Sequence, residues 1–474
     1  MIHSLQSQDK ADCDDFQRRT VDFGYASWAC PLKVQGLLRF DEDGEFVLKQ
    51  ADLKSGQQNK DGCALRICLM TYRGNPTCGG QGVYIQYLSR ALKELGHEVD
   101  VLSGPPYPEL AEGIALYKIP GLDLYNPEHL FKVRKIRDLA SLVNQFEFIS
   151  MCSGGFPEPF TFGIRAHRHL RKRQKKYDIV HDNQSLSYGL LGIVRSGYPT
   201  VATIHHPITV DRDAEIGAAD GWLRRMKARR WYAFLTMQKR VSRRLSHIIT
   251  VSNCSRADIG REFRIPAERF RVVPNGINLD CFYPLNGIKR SDHQILVTNS
   301  ADTPLKGLRY LLEAVAEIRR EREIRLVVIG KPKTDGVIER LVAELSLGDT
   351  VQFTGRITHE EFARHYAEST MAVIPSLYEG FGMPAGEAMA CGVPVISTSG
   401  GALPEVIGDA GILVPPADKL ALREAILALL NDPERRRRLG EAGLARVKNS
   451  LTWRHAAQKT VEVYREAIDA HRRL

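Results

Sequence analysis

The stretch SLYEGFGMPAGEAMACGVPVIST (376–398) decides the reading of this chain. The run before it, MAVIPS (371–376), is short and apolar, as a buried strand requires, and PVISTS (394–399) reads the same way. The spacing between them predicts a loop and then a helix. Pro384 sits where a helix begins without needing its N–H, and Gly392 fits the helix end. Free amides around residues 381–385 would point out of such a start, which is an anion-binding arrangement. Gly380 and Gly382 let a ligand approach the backbone closely. Glu379 lies in the loop, and Glu387 is placed by the pattern in the first helical turn. Carboxylates accept hydrogen bonds from sugar or ribose hydroxyls. Either Glu alone also fits a plainer role, a loop acid or a favourable helix-start charge. The pair, in a strand–loop–helix setting, points to a ligand with anionic and hydroxyl-rich parts.

Outward from this segment the chain alternates strands and helices. QILVTNS (294–300), IRLVVIG (324–330), VQFTG (351–355) and GILVPP (411–416) read as strands, separated by helical patterns at 307–320, 358–369 and 418–432. An earlier series opens with ALRICLMTY (64–72), the glycine-rich loop GNPTCGGQG (74–82) and a helix over 83–96. Tyr84, Tyr87, Leu88, Ala91, Leu92 and Leu95 fall on one face of that helix, and Gly96 is its expected terminator. EVDVLSG (98–104), DIVHDN (178–183), TVATIHH (200–206) and HIITVS (247–252) add strands. The expectation is an α/β chain with two Rossmann-like parallel-sheet domains, 64–286 and 287–450, joined near PNGINLDCFYPLNG (274–287). Ligands would bind in the cleft between the carboxyl ends of the two sheets. Residues 1–63 carry no sustained period and read as an N-terminal extension, with a candidate hairpin around Asp43-Gly44.

EGFGMPAGEAMACGVPVI resembles the Glu-x7-Glu signature of the retaining glycosyltransferases of family 4, which have the GT-B fold. Four further segments resemble that family in order: CGGQGVYIQYLSRALKELGHEVDVLS, VVPNGINLDCFYP (272–284), LKGLRYLLEA (305–314) and LTWRHAAQKTVEVYREAI (451–468). The resemblance spans roughly residues 64–470 and implies that 451–474 crosses back to the first domain. It implies that Glu387 holds the ribose of a nucleotide sugar. Glu379, Gly380 and the backbone of Phe381, Gly382 and Met383 would hold the donor sugar, and Lys306 the diphosphate. A cation there would stabilise the charge of the departing nucleotide. Where the family pattern has an arginine six residues before that lysine, this chain has Ser300, which donates a hydrogen bond but brings no charge. Gly80 and Gly82 resemble the loop that approaches the diphosphate. His205 stands where the family has a histidine near the reacting sugar, with His206 beside it; a neutral imidazole there would hydrogen-bond a sugar hydroxyl. The implied reaction moves a sugar from a UDP- or GDP-linked donor to a hydroxyl acceptor with retention. The nucleotide sugar is a substrate, no cofactor is implied, and no metal is required. A non-catalytic sugar-nucleotide-binding protein, or a phosphorylase of the same fold, is the competing reading.

Composition narrows the setting. The 474 residues are 43% hydrophobic and 26% charged, enough for a packed core. No run approaches 18 apolar residues, and the polar start MIHSLQSQDKADCDD is no secretory signal. Nine scattered cysteines, none at zinc spacing, fit a cytoplasmic protein with reduced thiols. Residues 165–249 hold 18 basic and six acidic residues, a surplus larger than the whole chain's +10. Within 222–244, nine cations and no acid interleave with Trp222, Trp231, Tyr232 and Phe234. A basic aromatic helix there suits an anionic membrane surface and hence a lipid or lipid-linked acceptor, although its aromatics equally suit packing inside the domain. Nucleic acid is not expected, because no recognition module accompanies the charge.

Overall fold

The computed structural model describes residues 64–75, 80–124, 136–173, 176–219, 221–298, 303–355 and 357–473. The N-terminal extension with its candidate hairpin, and Ser300, lie outside the described residues.

Two parallel sheets form the frame. The first runs β3-β2-β1-β4-β5-β6-β7, built from β1 (Arg66–Thr71), β2 (Glu98–Ser103), β3 (Ala115–Lys118), β4 (Ile179–Asn183), β5 (Thr200–Ile204), β6 (His247–Thr250) and β7 (Phe270–Val272). The second runs β10-β9-β8-β11-β12-β13, built from β8 (Gln294–Thr298), β9 (Arg325–Ile329), β10 (Val351–Phe353), β11 (Met371–Ile374), β12 (Val395–Thr398) and β13 (Ile412–Val414). The alternation of strand side chains fills a core on both faces of each sheet. Ile67 and Leu69 of β1 point into one cluster, and Cys68 and Met70 into the opposite one. Both faces are covered, so these strands read as unbroken apolar runs. The architecture is GT-B, with the carboxyl ends of the two sheets meeting across a cleft.

The helix Gly80–Glu94 buries Tyr84, Tyr87, Leu88, Ala91 and Leu92, the predicted face, and ends at Gly96 with φ +91°. Val83 and Ile85 are buried as well. The C-terminal helix Trp453–Arg472 packs against it and shares its core cluster. Trp453 stacks on Tyr87 with ring centroids 5.7 Å apart, and the Tyr464 hydroxyl meets His181 Nδ1 at 2.6 Å. The chain returns to the first sheet through a narrow crossing: Ile277 N donates to Leu451 O at 2.7 Å, and a Cβ on Gly276 would stand 2.2 Å from Trp453 N.

One expectation is corrected. Residues 222–244 are not a single helix. They form Trp222–Trp231, a 3-10 turn at Tyr232–Phe234, and Leu235–Ser242. The break follows from packing: Trp231 stacks on Phe156 at 5.0 Å, and the buried Tyr232 donates its hydroxyl to Glu215 at 2.9 Å. Only Trp222 of the four aromatics is among the exposed large side chains, at 67%.

Candidate active site

The second sheet builds the site at the carboxyl ends of β8, β11 and β12. The 3-10 turn Pro304–Lys306 ends on Gly307, whose φ is +65° and whose Cβ, if present, would stand 2.0 Å from Pro375 O. Leu377 N donates to Leu305 O at 2.7 Å. That turn therefore lies flat against the end of β11, and Lys306 Nζ reaches Glu379 Oε1 at 2.7 Å. The Ser376 hydroxyl donates to the same oxygen at 2.9 Å. The Glu379 side chain is 1% exposed, and a buried carboxylate requires such partners. Behind it, Ala402 N donates to Glu379 O at 2.9 Å, and a Cβ on Gly401 would fall 2.2 Å from that carbonyl. Glycine at 401 thus lets the loop after β12 close over the loop after β11. Sequence reasoning passed over Gly401, and its only signal was a Gly-Gly pair after a strand.

Gly382, at φ +101°, opens the helix Met383–Ala390 with Pro384 in its first turn. The helix ladder begins with Ala385 N donating to Gly382 O at 3.1 Å, so the amides of Phe381, Gly382 and Met383 precede it. The Phe381 ring is buried in the core of the second domain, which leaves only its backbone for a ligand. Glu387 corrects the first-turn expectation. The helix starts one residue ahead of Pro384, so Glu387 is its fifth residue and no acid stands in the first turn. It is 4% exposed, and among the described residues no group donates a hydrogen bond to it. Burial alone pushes its carboxyl up to about 8.

The first sheet supplies the opposite wall. His205 follows β5; its Nε2 meets Asn183 Oδ1 at 2.8 Å, and its ring packs edge-on against Tyr84 with centroids 4.7 Å apart. Burial, then the neighbouring His206 and His181, lower it to about 3, so the ring is neutral at physiological pH. Gln184 Oε1 accepts from His205 N at 2.9 Å. His206 Nε2 meets Asp211 Oδ2 at 2.9 Å. Burial lowers the His206 pKa, but the charge and hydrogen bond of Asp211, helped by Glu379 and opposed by Lys306, leave it raised. His206 is therefore the histidine whose field reaches the Lys306–Glu379 pair. Gly82 is sterically required, since a Cβ there would lie 2.0 Å from Asn75 O, whereas a Cβ on Gly80 would meet open space. Asn183, Gln184 and Asp211 carried no motif that marked them. Asn183 and Gln184 act across a fold of the chain, on a residue more than twenty positions away, and Asp211 acts within one turn-and-helix segment, five residues from His206.

Known proteins match this arrangement. The pattern described as Glycosyl transferases group 1 covers residues 286–446, and Glycosyltransferase Family 4 covers residues 78–281. An MMP alpha-(1->4)-mannosyltransferase of Mycolicibacterium hassiacum is 45% identical over 408 residues, which is 85% of this chain and 98% of the relative. A D-inositol 3-phosphate glycosyltransferase of Kineococcus radiotolerans is 27% identical over 429 residues, 83% of this chain and 92% of the relative. Among solved structures, the sucrose-phosphate synthase of Thermosynechococcus elongatus superposes with a TM-score of 0.66 at 28% identity, covering 85% of this chain and 99% of that one. Two sheets joined at their carboxyl ends, with a Lys–Glu pair beside an open helix start, are thus the frame of a sugar-transferring enzyme, and the chain belongs to the group 1, family 4 glycosyltransferases.

Proposed function

We propose that the chain is a retaining hexosyltransferase that moves a mannosyl group from a UDP- or GDP-linked donor to a hydroxyl of a saccharide acceptor. The observation that carries this reading is the buried Glu379 paired with Lys306, placed just before the open helix start that also bears Glu387. Glu379 accepts hydrogen bonds from the donor sugar, and Glu387 from the ribose. Lys306 and the amides of residues 381–383 face the diphosphate and stabilise the negative charge that develops as the glycosidic bond breaks. The transition state has oxocarbenium character, as in glycoside hydrolysis. His205 and His206, at the mouth of the first domain, hydrogen-bond the sugar from the acceptor side. No metal or cofactor is given a part. The mannosyl assignment rests on the relative from Mycolicibacterium hassiacum. Incubation with UDP-, GDP- and ADP-sugars, with and without saccharide acceptors, tests the reading. Acceptor-dependent nucleotide release that Glu379→Ala abolishes is expected. Nucleotide binding with no turnover on any acceptor would instead make the protein a non-catalytic binder.

The acceptor side also carries an exposed basic face, which we read as a contact for an anionic membrane and so for a lipid-linked acceptor. On the helix Trp222–Trp231, Trp222, Leu223 and Met226 are 67%, 55% and 52% exposed among Arg224, Arg225, Lys227 and Arg229. Among the described residues no helix is long and apolar enough to cross a membrane. Sedimentation with anionic vesicles at low salt is expected, and charge reversals at 224, 225, 227 and 229 are expected to abolish it. Unchanged sedimentation after those reversals sinks the idea.

A further inference from the structure

The first domain reaches across the cleft to the donor loop at one point. The helix Asn253–Phe263 starts at Ser252, whose hydroxyl accepts from Ser255 N at 3.0 Å and donates to Gly380 O at 2.9 Å. The Ser255 hydroxyl donates to the same carbonyl at 3.1 Å. The helix's first two amides, Asn253 N and Cys254 N, donate to the two oxygens of Glu405 at 2.8 and 2.7 Å. Asn253 Nδ2 adds a bond to Glu405 at 3.0 Å, and the Tyr378 hydroxyl donates to Asp258 at 2.9 Å. A helix start needs partners for its first amides and favours a carboxylate there. Here the other domain supplies both. Gly380 completes the seam, because a Cβ on it would lie 3.0 Å from His206 Cβ and 3.4 Å from His205 O.

We propose that Ser252, Ser255 and Glu405 are positioning residues. They fasten the Glu379–Gly380 segment to the first domain, so that Glu379 and the His205–His206 pair converge on one sugar, and their release opens the cleft. The inference rests on Glu379 being a donor-sugar residue; none of the three touches the sugar itself. The seam is reversible by its chemistry. Opening it frees amides, hydroxyls and one carboxylate, all of which water solvates in exchange. It therefore fixes the closed geometry without trapping the product.

The test uses the full chain and the variants Glu405→Gln, Ser255→Ala and Gly380→Ala. In Glu405→Gln an amide NH2 replaces one accepting oxygen and faces a donor N–H. The half-buried Cys254 sits in the seam, and the exposed Cys152 lies on the separate helix Leu142–Cys152, so alkylation followed by peptide mass spectrometry compares the two thiols within one sample. Opening is expected to alkylate Cys254 about fivefold faster against Cys152, enlarge the radius of gyration in solution scattering, and lower kcat/KM about tenfold. Affinity for bare UDP or GDP should fall less than kcat/KM, because Glu387, Lys306 and the amides of residues 381–383, to which the proposed function assigns the ribose and diphosphate, all lie in the second domain. Glu405→Asp is expected to restore part of each effect. Unchanged alkylation and scattering in all three variants overturn the proposal, whatever activity does. Absence of turnover in the unmodified chain would count against the transferase reading, while the alkylation arm would still decide the seam.

Discussion

Replacing Glu387 by Gln is expected to stabilise the protein while removing its grip on the nucleotide. Burial raises this carboxyl from 4.5 to about 8. An acid whose folded pKa lies above its unfolded value gives stability that is complete below the unfolded value and is lost as pH rises through the folded one. The window is therefore pH 4.5 to about 8. Neutral pH lies about 2.5 units into that window, and at about 1.4 kcal/mol per unit the loss reaches about 3.5 kcal/mol at pH 7. Glu387→Gln keeps the shape and cannot ionise, so it escapes the loss. The variant should unfold with a Tm higher by about 7–14 °C at pH 7 for a domain of this size, and level with the parent near pH 4.5. Thermal unfolding across a pH series, read as variant minus parent, checks this. A second readout follows from the same linkage. Ribose hydroxyls that donate to Glu387 favour its ionised form, so nucleotide binding near pH 7 should release a proton, seen as a buffer-dependent calorimetric heat. The reasoning is refuted if the stability difference stays flat from pH 4.5 to 8, or if the variant is the weaker protein at pH 7.

Lys306→Met leaves the buried Glu379 without its ammonium, and a loss of about 3–5 kcal/mol in denaturant unfolding is expected, partly recovered when Glu379→Gln is added. Asp211→Asn removes the group that holds the His206 pKa up; its NMR titration should move to lower pH. The stability that the pair contributes is present below the unfolded value of 6.5 and fades as pH rises through the folded one, so the variant's deficit should shrink toward pH 9. Gly82→Ala drives a Cβ into Asn75 O, which belongs to backbone, so a loss of about 1–3 kcal/mol and a raised KM for the donor are expected from steady-state kinetics and melting.

What the sequence revealed follows from where its signals are local. Buried parallel strands such as β1, β4 and β5 announce themselves as apolar runs, because both their faces are covered. The edge strands β3 and β7 are short and largely half-buried or exposed and went unread, whereas the equally short β10 and β13 were read from VQFTG and GILVPP. The helices Leu142–Cys152 and Glu158–Lys172 went unread; in the first, Leu142, Phe146 and Ile149 are exposed, so its apolar residues mark no single buried face. In the site, Glu379, Glu387 and Lys306 were legible because a signature places them at fixed spacing around glycine and proline. Gln184 and Glu405 were not, since each acts on a backbone that only the fold brings near, and Asp211, five residues from His206, stood in no motif that marked it.

The two glutamates of that signature look alike in sequence, and their environments separate them. Glu379 is held in an ion pair with Lys306, so the ammonium and carboxylate cancel before any ligand arrives. Glu387 is mostly protonated at pH 7 and adds little charge. These two glutamates therefore bring less than their formal charge to the donor face before any ligand arrives. On the proposed reading, a diphosphate entering the site would compete with Glu379 for Lys306, and the Ser376 hydroxyl would keep its hydrogen bond on Glu379 during that exchange. One lysine shared between two anions is a weaker clamp than two dedicated cations would be. On that reading the amides ahead of Ala385, at the positive end of the helix, share the load with Lys306. The groups that bond the donor loop and Glu405 to the first domain come from 252–258, just beyond the basic stretch 165–249, and the exposed cations of Trp222–Trp231 are not among them. If the basic region serves the proposed membrane contact and not the donor, a charge reversal in Trp222–Trp231 should leave nucleotide affinity untouched even where it abolishes vesicle binding.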